Sequence, residues 1–180
     1  MNPDDKHLMP AGVAARRADT AQFVEFEIDG RCYAFPIQQI REIVILKDVT
    51  PTPQVAPYVD GVSNLRGQII PIINLRVLFG LTRRPVDDET RTIVVNVGEK
   101  TMGCTVDLVS RVLRIGKDEI REAPETVTAD GRTYIEGFIK TEQRLVIVLN
   151  VEQLLRLENL QQIRNLPEIG SSAPTNGPNG

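Results

Sequence analysis

What most constrains this chain is that its two halves repeat. A shift of 69 residues lays Val24, Phe26, Ile28, Tyr33, Phe35, Ile37, Ile40 and Ile43 on Ile93, Val95, Val97, Met102, Cys104, Val106, Val109 and Val112. A shift of 76 lays Gly61, Val62, Ile69, Ile70, Ile72, Ile73, Asn74 and Leu75 on Gly137, Phe138, Leu145, Val146, Val148, Leu149, Asn150 and Val151. The chain is 41% hydrophobic. Chance would then pair apolar with apolar at roughly 17% of positions, and these windows do so about twice as often. The order of elements repeats as well, which is the mark of a duplicated unit.

Each unit reads as about five short strands with a helix at its end. The first spans about residues 23–81 and the second about 92–157, with boundaries left approximate because strands can be exchanged between units. In "FVEFEIDGRCYAF", Val24, Phe26 and Ile28 alternate with Glu25 and Glu27, as in a half-buried strand. Asp29-Gly30 reads as a hairpin turn, because Gly30 can take positive φ. "IQQIREIVIL" predicts a helical turn running into a strand. Pro71, inside the β-branched run Ile69 to Ile73, predicts an edge or a bulge there. Gly80 ends a short helix in "LRVLFGL", and "TRRPVDDE" reads as a charged linker. "TIVVNVGEKTMGCTV" and "YIEGFIKTEQRLVIVLN" read as hairpins, "KDEIRE" as a turn of helix, and "VEQLLRLENLQQI" as a closing amphipathic helix. Residues 1–20 and 164–180 are polar and aperiodic, and are expected to be disordered tails around a domain at 21–163. So many short strands in so few residues favour a small curled barrel over a flat sheet. The fold class expected is therefore mainly β, two packed barrels with short helices.

Composition narrows the function. Net charge is -3 and Trp is absent, so neither a basic field nor exposed aromatics invite nucleic acid. No apolar run is long enough for a transmembrane helix. The single histidine, His7, lies in the N-terminal tail, so a histidine-based metal site or a Ser-His-Asp triad in the folded body is not expected. Cys32 and Cys104 form no C-x-x-C and read as reduced, buried thiols in a cytoplasmic protein. Asp87, Asp88 and Glu89 sit beside Arg83 and Arg84 and read as a solvated loop. No phosphate-binding glycine motif occurs. Neither catalytic residues nor a cofactor or metal site are expected. What remains is a module that binds a partner.

The stretch "DGVSNLRGQIIPIINLRVLFG" resembles the signature of the CheW family, the coupling proteins of chemoreceptor arrays. The likeness extends through "YAFPIQQIREIV", "VDLVSRVLRI" and "LVIVLNVEQLL", covering about residues 22–157. It implies two five-stranded SH3-like barrels packed side by side. It implies a non-catalytic adaptor between the cytoplasmic tip of a methyl-accepting chemoreceptor and the regulatory domain of the histidine kinase CheA. The place implied is the cytoplasm, beneath the inner membrane at receptor arrays, without membrane insertion. By the resemblance, Ile40 and Glu42 lie near the receptor-facing groove, Gly61, Asn64, Arg66 and Gly67 form the hairpin, and Val106, Asp107 and Val109 line the groove's other side. No motif assigns the kinase contacts. Two positions depart from the family pattern. Pro36 stands where an acidic or small polar residue is common, which would end the second strand early, and Asn74 replaces a frequent Asp.

Read as residues alone, Gly67 is a turn glycine, Asn64 a side-chain cap of that turn, and Arg66 either a solvated charge, an interface anchor or a partner of Glu42. Ile40 fits core or groove rim equally. The alternatives to an adaptor are a small-ligand-binding or regulatory β-barrel module, or a regulatory piece of a larger kinase. The second unit offers "FIKTEQ" where the first has Asn-Leu-Arg-Gly, so building a barrel does not require Asn64 and Arg66.

Overall fold

The computed structural model describes residues 19–128 and 134–156. In chain order the strands are β1 (Thr20–Ile28), β2 (Arg31–Pro36), β3 (Ile40–Val44), β4 (Val59–Leu65), β5 (Gln68–Asn74), β6 (Arg91–Val97), β7 (Lys100–Val106), β8 (Leu108–Gly116), β9 (Ile120–Glu122), β10 (Ile135–Lys140) and β11 (Leu145–Leu149). The short helices are α1 (Leu75–Leu78), α2 (Glu125–Thr128) and α3 (Val151–Leu154). Single 3-10 turns precede β3, at Ile37–Gln39, and β9, at Lys117–Glu119. Residues 1–18, everything beyond residue 156, including the rest of the expected closing helix, and part of the polar connection before β10 lie outside the described residues. Thr20, expected in the N-terminal tail, opens β1, and α3 ends at Leu154.

The strands form two sheets that do not coincide with the repeat units. One has the order β8-β1-β2-β11-β10-β9 and the other β3-β6-β7-β5-β4. The hairpin β1–β2 of the first unit is thus built into the sheet of the second, and β6–β7 of the second into the sheet of the first. The exchange is symmetric. β2 pairs parallel with β11 and β7 pairs parallel with β5, while β1 meets β8 and β6 meets β3 in antiparallel ladders. The units at about 23–81 and 92–157 are therefore interlocked, and each SH3-like body is a composite.

Local chemistry makes the repeat concrete. Asn74 and Asn150, 76 residues apart, cap α1 and α3 by accepting from the amides of Val77 and Gln153. Their own amides donate to the carbonyls of Tyr58 and Tyr134, also 76 apart. Gly61 and Gly137 both sit where the ladder slips register. At Gly61, φ is 142°, and a Cβ would lie 2.0 Å from the Thr50 carbonyl oxygen. Asp29 and Gly30 both take positive φ, as a two-residue hairpin turn demands. Pro71 lies one residue before the stretch Ile72–Asn74 that pairs with β7, so its missing N–H costs that ladder nothing. The second strand ends at Pro36, as the departure at that position predicts.

Three apolar clusters fill the molecule. The largest lies between the sheets and holds Phe26, Phe35, Ile73, Leu75, Ile93 and Leu149, each worth about 1.5–3 kcal/mol when fully buried. Phe23, Ala34, Leu113, Ile139, Val146 and Val148 form the cluster belonging to the β1 sheet. Ile70, Ile72 and Val94 form that of the β6 sheet. One expectation fails here. Glu25, read as an outward-facing residue of a half-buried strand, is fully buried. It stands 69 residues before Val94, facing its own sheet's cluster. Arg111 Nε donates to its Oε2 at 2.8 Å, and Arg144 approaches Oε1 at 3.8 Å. Strand β1 is thus covered on both faces along its middle.

Two predictions follow from this architecture. Residues 19–86 and 87–156 expressed separately should each give the collapsed amide spectrum of an unfolded chain, and mixing them should restore dispersion, read by two-dimensional NMR. Burial pushes the Cys104 thiol up to about 12 from 9.0. Stability should therefore be full below pH 9 and fall as pH rises toward about 12, where the folded thiol also ionises. The stability gap between wild type and Cys104→Ala, read by urea titration, should be constant below pH 9 and change only in that window.

Candidate partner-binding surface

The β4–β5 hairpin closes on Arg66 and Gly67, with φ of 52° and 87°. Both central residues lie in the left-handed region, the signature of a type I′ turn. Gly67 does so at little cost, but an L-residue with a Cβ loses roughly 1–2 kcal/mol there. Asn64 offsets part of this, since its Oδ1 accepts the Gly67 amide at 2.8 Å. The second unit closes the same hairpin by Thr141 N–H to Arg144 C=O, with Glu142 and Gln143 at the tip and neither at positive φ. The strain at Arg66 is thus no requirement of the hairpin. It aims a guanidinium outward.

That guanidinium donates to Glu42 Oε2 at 2.9 Å. The Arg66 side chain is 75% exposed and that of Glu42 only 17%. Glu42 sits on β3 at a register slip between Ile40 and Glu42, which turns its carboxylate toward the tip of the β4–β5 hairpin. Arg41 adds a second tie to that hairpin through Gln68 Oε1 at 3.1 Å. Exposed apolar side chains flank these charges: Ile43 shares the outward face of β3 with Arg41, and Ile69 follows Gln68. Polar residues able to form directional bonds, beside exposed aliphatics on a strand edge, are the makings of a protein contact.

The nine residues singled out from the sequence fall into two sets. Glu42, Asn64, Arg66 and Gly67 come together at this hairpin tip. Ile40 is half-buried against the inter-sheet core, and Gly61 lies further down β4, packed on Thr50. Val106, Asp107 and Val109 belong elsewhere. Val106 is buried in the inter-sheet core and Val109 packs on it from β8. Asp107, with a side chain 9% exposed, accepts from Arg76 Nη1 at 2.6 Å and from the Asp29 amide at 2.9 Å. Arg76 also reaches Asp29 Oδ1 at 3.3 Å, and Arg84 lies 3.7 Å from Asp107. Asp107 therefore ties α1 and the β1–β2 turn to the start of β8. No hydrogen bond or ion pair joins the two sets among the described residues.

Arg76 and Asp29 carry this second cluster, and sequence reasoning passed over both. Asp29 read only as a hairpin residue and Arg76 only as part of a helix start. The visible signal was an arginine in the first turn of a helix too short to need a surface charge there. The arrangement suits recognition. Cys104 is buried with its proton held, and Cys32 Sγ accepts from Arg144 at 3.1 Å with no histidine beside it. Among the described residues no three metal-ligating side chains converge, and no helix is long and apolar enough to cross a membrane.

Known proteins resemble this chain along most of its length. The family model for the CheW-like domain matches residues 22–159. The chemotaxis protein CheW of Treponema pallidum is 32% identical over 149 residues, 81% of this chain and 88% of that protein. The chemotaxis protein CheW of Helicobacter pylori is 37% identical over 138 residues, 77% of this chain and 83% of that protein. Among solved structures, the scaffolding protein TtCheW of Thermoanaerobacter tengcongensis matches with a TM-score of 0.69 and 28% identity, covering 77% of this chain and 94% of that one.

The two clusters should separate in stability measurements. Asp107→Ala leaves Arg76 in a mostly buried site with only the Thr82 carbonyl at 3.0 Å and the weaker Asp29 contact, and should cost about 2–3 kcal/mol in urea unfolding. Arg66→Ala removes an exposed pair and should stay within about 0.5 kcal/mol of wild type.

Proposed function

The chain belongs to the CheW family of chemotaxis scaffold proteins, and from that premise we propose that it is a non-catalytic adaptor joining a chemoreceptor's cytoplasmic tip to the regulatory domain of the histidine kinase CheA. The observation that carries the reading is Arg66: a strained backbone, an exposed guanidinium and a carboxylate that holds it in place. A partner carboxylate can join or replace Glu42 without any change in the fold.

An adaptor needs two faces, and the repeat supplies a second. Shifted by 69 or 76 residues, Glu42, Ile43, Arg66 and Ile69 fall on Arg111, Val112, Glu142 and Leu145. The apolar character is kept, with Val112 and Leu145 both exposed, and the charges are reversed. Two surfaces at equivalent places in the repeat, with charges of opposite sign, can select different partners. The Arg66 face is assigned to the receptor tip, and the Val112–Leu145 face to the kinase domain. The protein would then work beneath the inner membrane, held there by its partners.

Co-sedimentation with receptor-containing membranes and purified CheA tests both faces. Arg66→Gly relieves the turn strain, so it should unfold at the same or higher urea concentration than wild type. It should nonetheless weaken receptor binding by about 2 kcal/mol, roughly 30-fold. Leu145→Lys should weaken kinase capture and spare the receptor. If neither partner is retained by wild-type protein, the adaptor reading is wrong; if Arg66→Gly binds receptor normally, the face is misassigned.

A further inference from the structure

The two sheets bury equivalent positions, but not equally well. In the β1 sheet, Phe23 fills the end of the apolar cluster and is nearly fully buried. The residue 69 positions on, in the β6 sheet, is Thr92. Likewise Ile139 of the β1 sheet has Ser63 as its counterpart 76 positions earlier, and the Ser63 hydroxyl is turned to the Asp48 carbonyl at 2.9 Å. Two large apolar side chains are thus missing from one of two related interiors. A cavity of about 320 Å³, of the size that holds small ligands, is lined by Thr92, though not by Ser63. Since the sister sheet closes the same space with Phe23, the fold does not require it to be open.

Its walls have a definite chemistry. Leu46, Val49 and Val86 form an apolar side, and Thr92 and Thr105, paired across β6 and β7, form a hydroxyl-bearing one. The rim carries Arg76, Arg83 and Arg84 and two carboxylates, Asp60 and Asp107, the latter 3.7 Å from Arg84. Two of the arginines are committed. Arg76 is held by Asp107, and Arg83 pairs with Asp60 and donates to the Pro57 carbonyl. Arg84 differs. Its main partner is Asp87, on the same linker and exposed. Asp87 does not depend on it, because its carboxylate also accepts from the Thr90 amide, the Thr90 hydroxyl and the Glu89 amide. Arg84 can therefore leave Asp87 without orphaning a charge. A bidentate-capable guanidinium at the mouth of an apolar pocket is suited to a carboxylate.

We propose that this cavity binds a small carboxylate with a compact apolar body, the body against Leu46, Val49 and Val86 and the carboxylate on Arg84. The site is distinct from the Arg66 face, so ligand binding and partner binding are separable measurements.

The test titrates the full chain with benzoate and with 3-methylbutanoate at millimolar concentrations, followed by amide chemical shifts, with benzyl alcohol as the uncharged control. Saturable shifts centred on Thr92, Thr105 and Arg84 are expected for the carboxylates. Thr92→Phe, which copies the sister sheet, should abolish them. Arg84→Gln should weaken them by about tenfold while leaving the alcohol unaffected. Should Thr92→Phe fail to fold, Val86→Trp on the exposed linker blocks the mouth from outside and takes its place. Absence of saturable binding for both carboxylates overturns the proposal, as does binding that survives both blocking variants or ignores Arg84→Gln. A Thr92→Phe protein that is simply more stable, in a chain that binds neither carboxylate, would mark the cavity as a packing defect.

Discussion

Four pairings between the repeat units hold this molecule together as one body, the antiparallel ladders β1–β8 and β3–β6 and two short parallel ones. β2 lies beside β11 over three residue pairs and β7 beside β5 over three more, and each pairing splices a hairpin from one repeat unit into the sheet of the other. Parallel neighbours cannot be joined by a tight turn, so they must come from distant parts of the chain. Everything else follows from that splice. The large core between the sheets exists because hairpins from both units present an apolar face to it. Asp107 stands where the chain passes from one composite body to the other, and so it can tie the β1–β2 turn to α1. The two exposed faces, one per sheet, are then fixed relative to each other.

Much of this was legible in the residues. Period-two alternation, Asp29-Gly30 and the apolar runs place most strands, because each signal is local. The repeat extends to its details: the capping asparagines, the tyrosine carbonyls behind them and the glycines at the register slips recur at one spacing. What the pattern could not carry was which strand sits beside which. The same alternation suits a closed unit and an exchanged one, and only the long-range pairings between units decide. Glu25 was misjudged for a related reason. Alternation reports one buried face, and β1 has two along its middle, so a charge can hide if arginines from β8 and the β10–β11 loop reach it.

The candidate site was legible in half. Asn64, Arg66, Gly67 and Glu42 meet because a hairpin turn and a neighbouring bulge are local devices that sequence encodes directly. The resemblance puts Asp107 on the groove's other side, and its bonds to Arg76 and Asp29, both distant in sequence, were not visible there. An aspartate after a strand looks the same whether it faces solvent or closes a buried network. The cavity beneath the 81–90 linker was invisible until the two halves could be compared side by side, when Thr92 stood out against Phe23.

The splice also sets a timetable for synthesis. β1 and β2 leave the ribosome early, but the strand that must lie against β2 is β11, whose last residue is Leu149. At about 5–20 residues per second, the first hairpin waits roughly 6–23 s with its β2 edge open before that neighbour exists, and its β1 edge is open too until β8 is made. During that interval Phe23, Phe26 and Phe35 have no finished core to enter. A nascent chain of this kind needs either a holding factor at the tunnel exit or an open edge that resists pairing with strangers. The arginine at the start of β2 and the proline at its end meet the second condition.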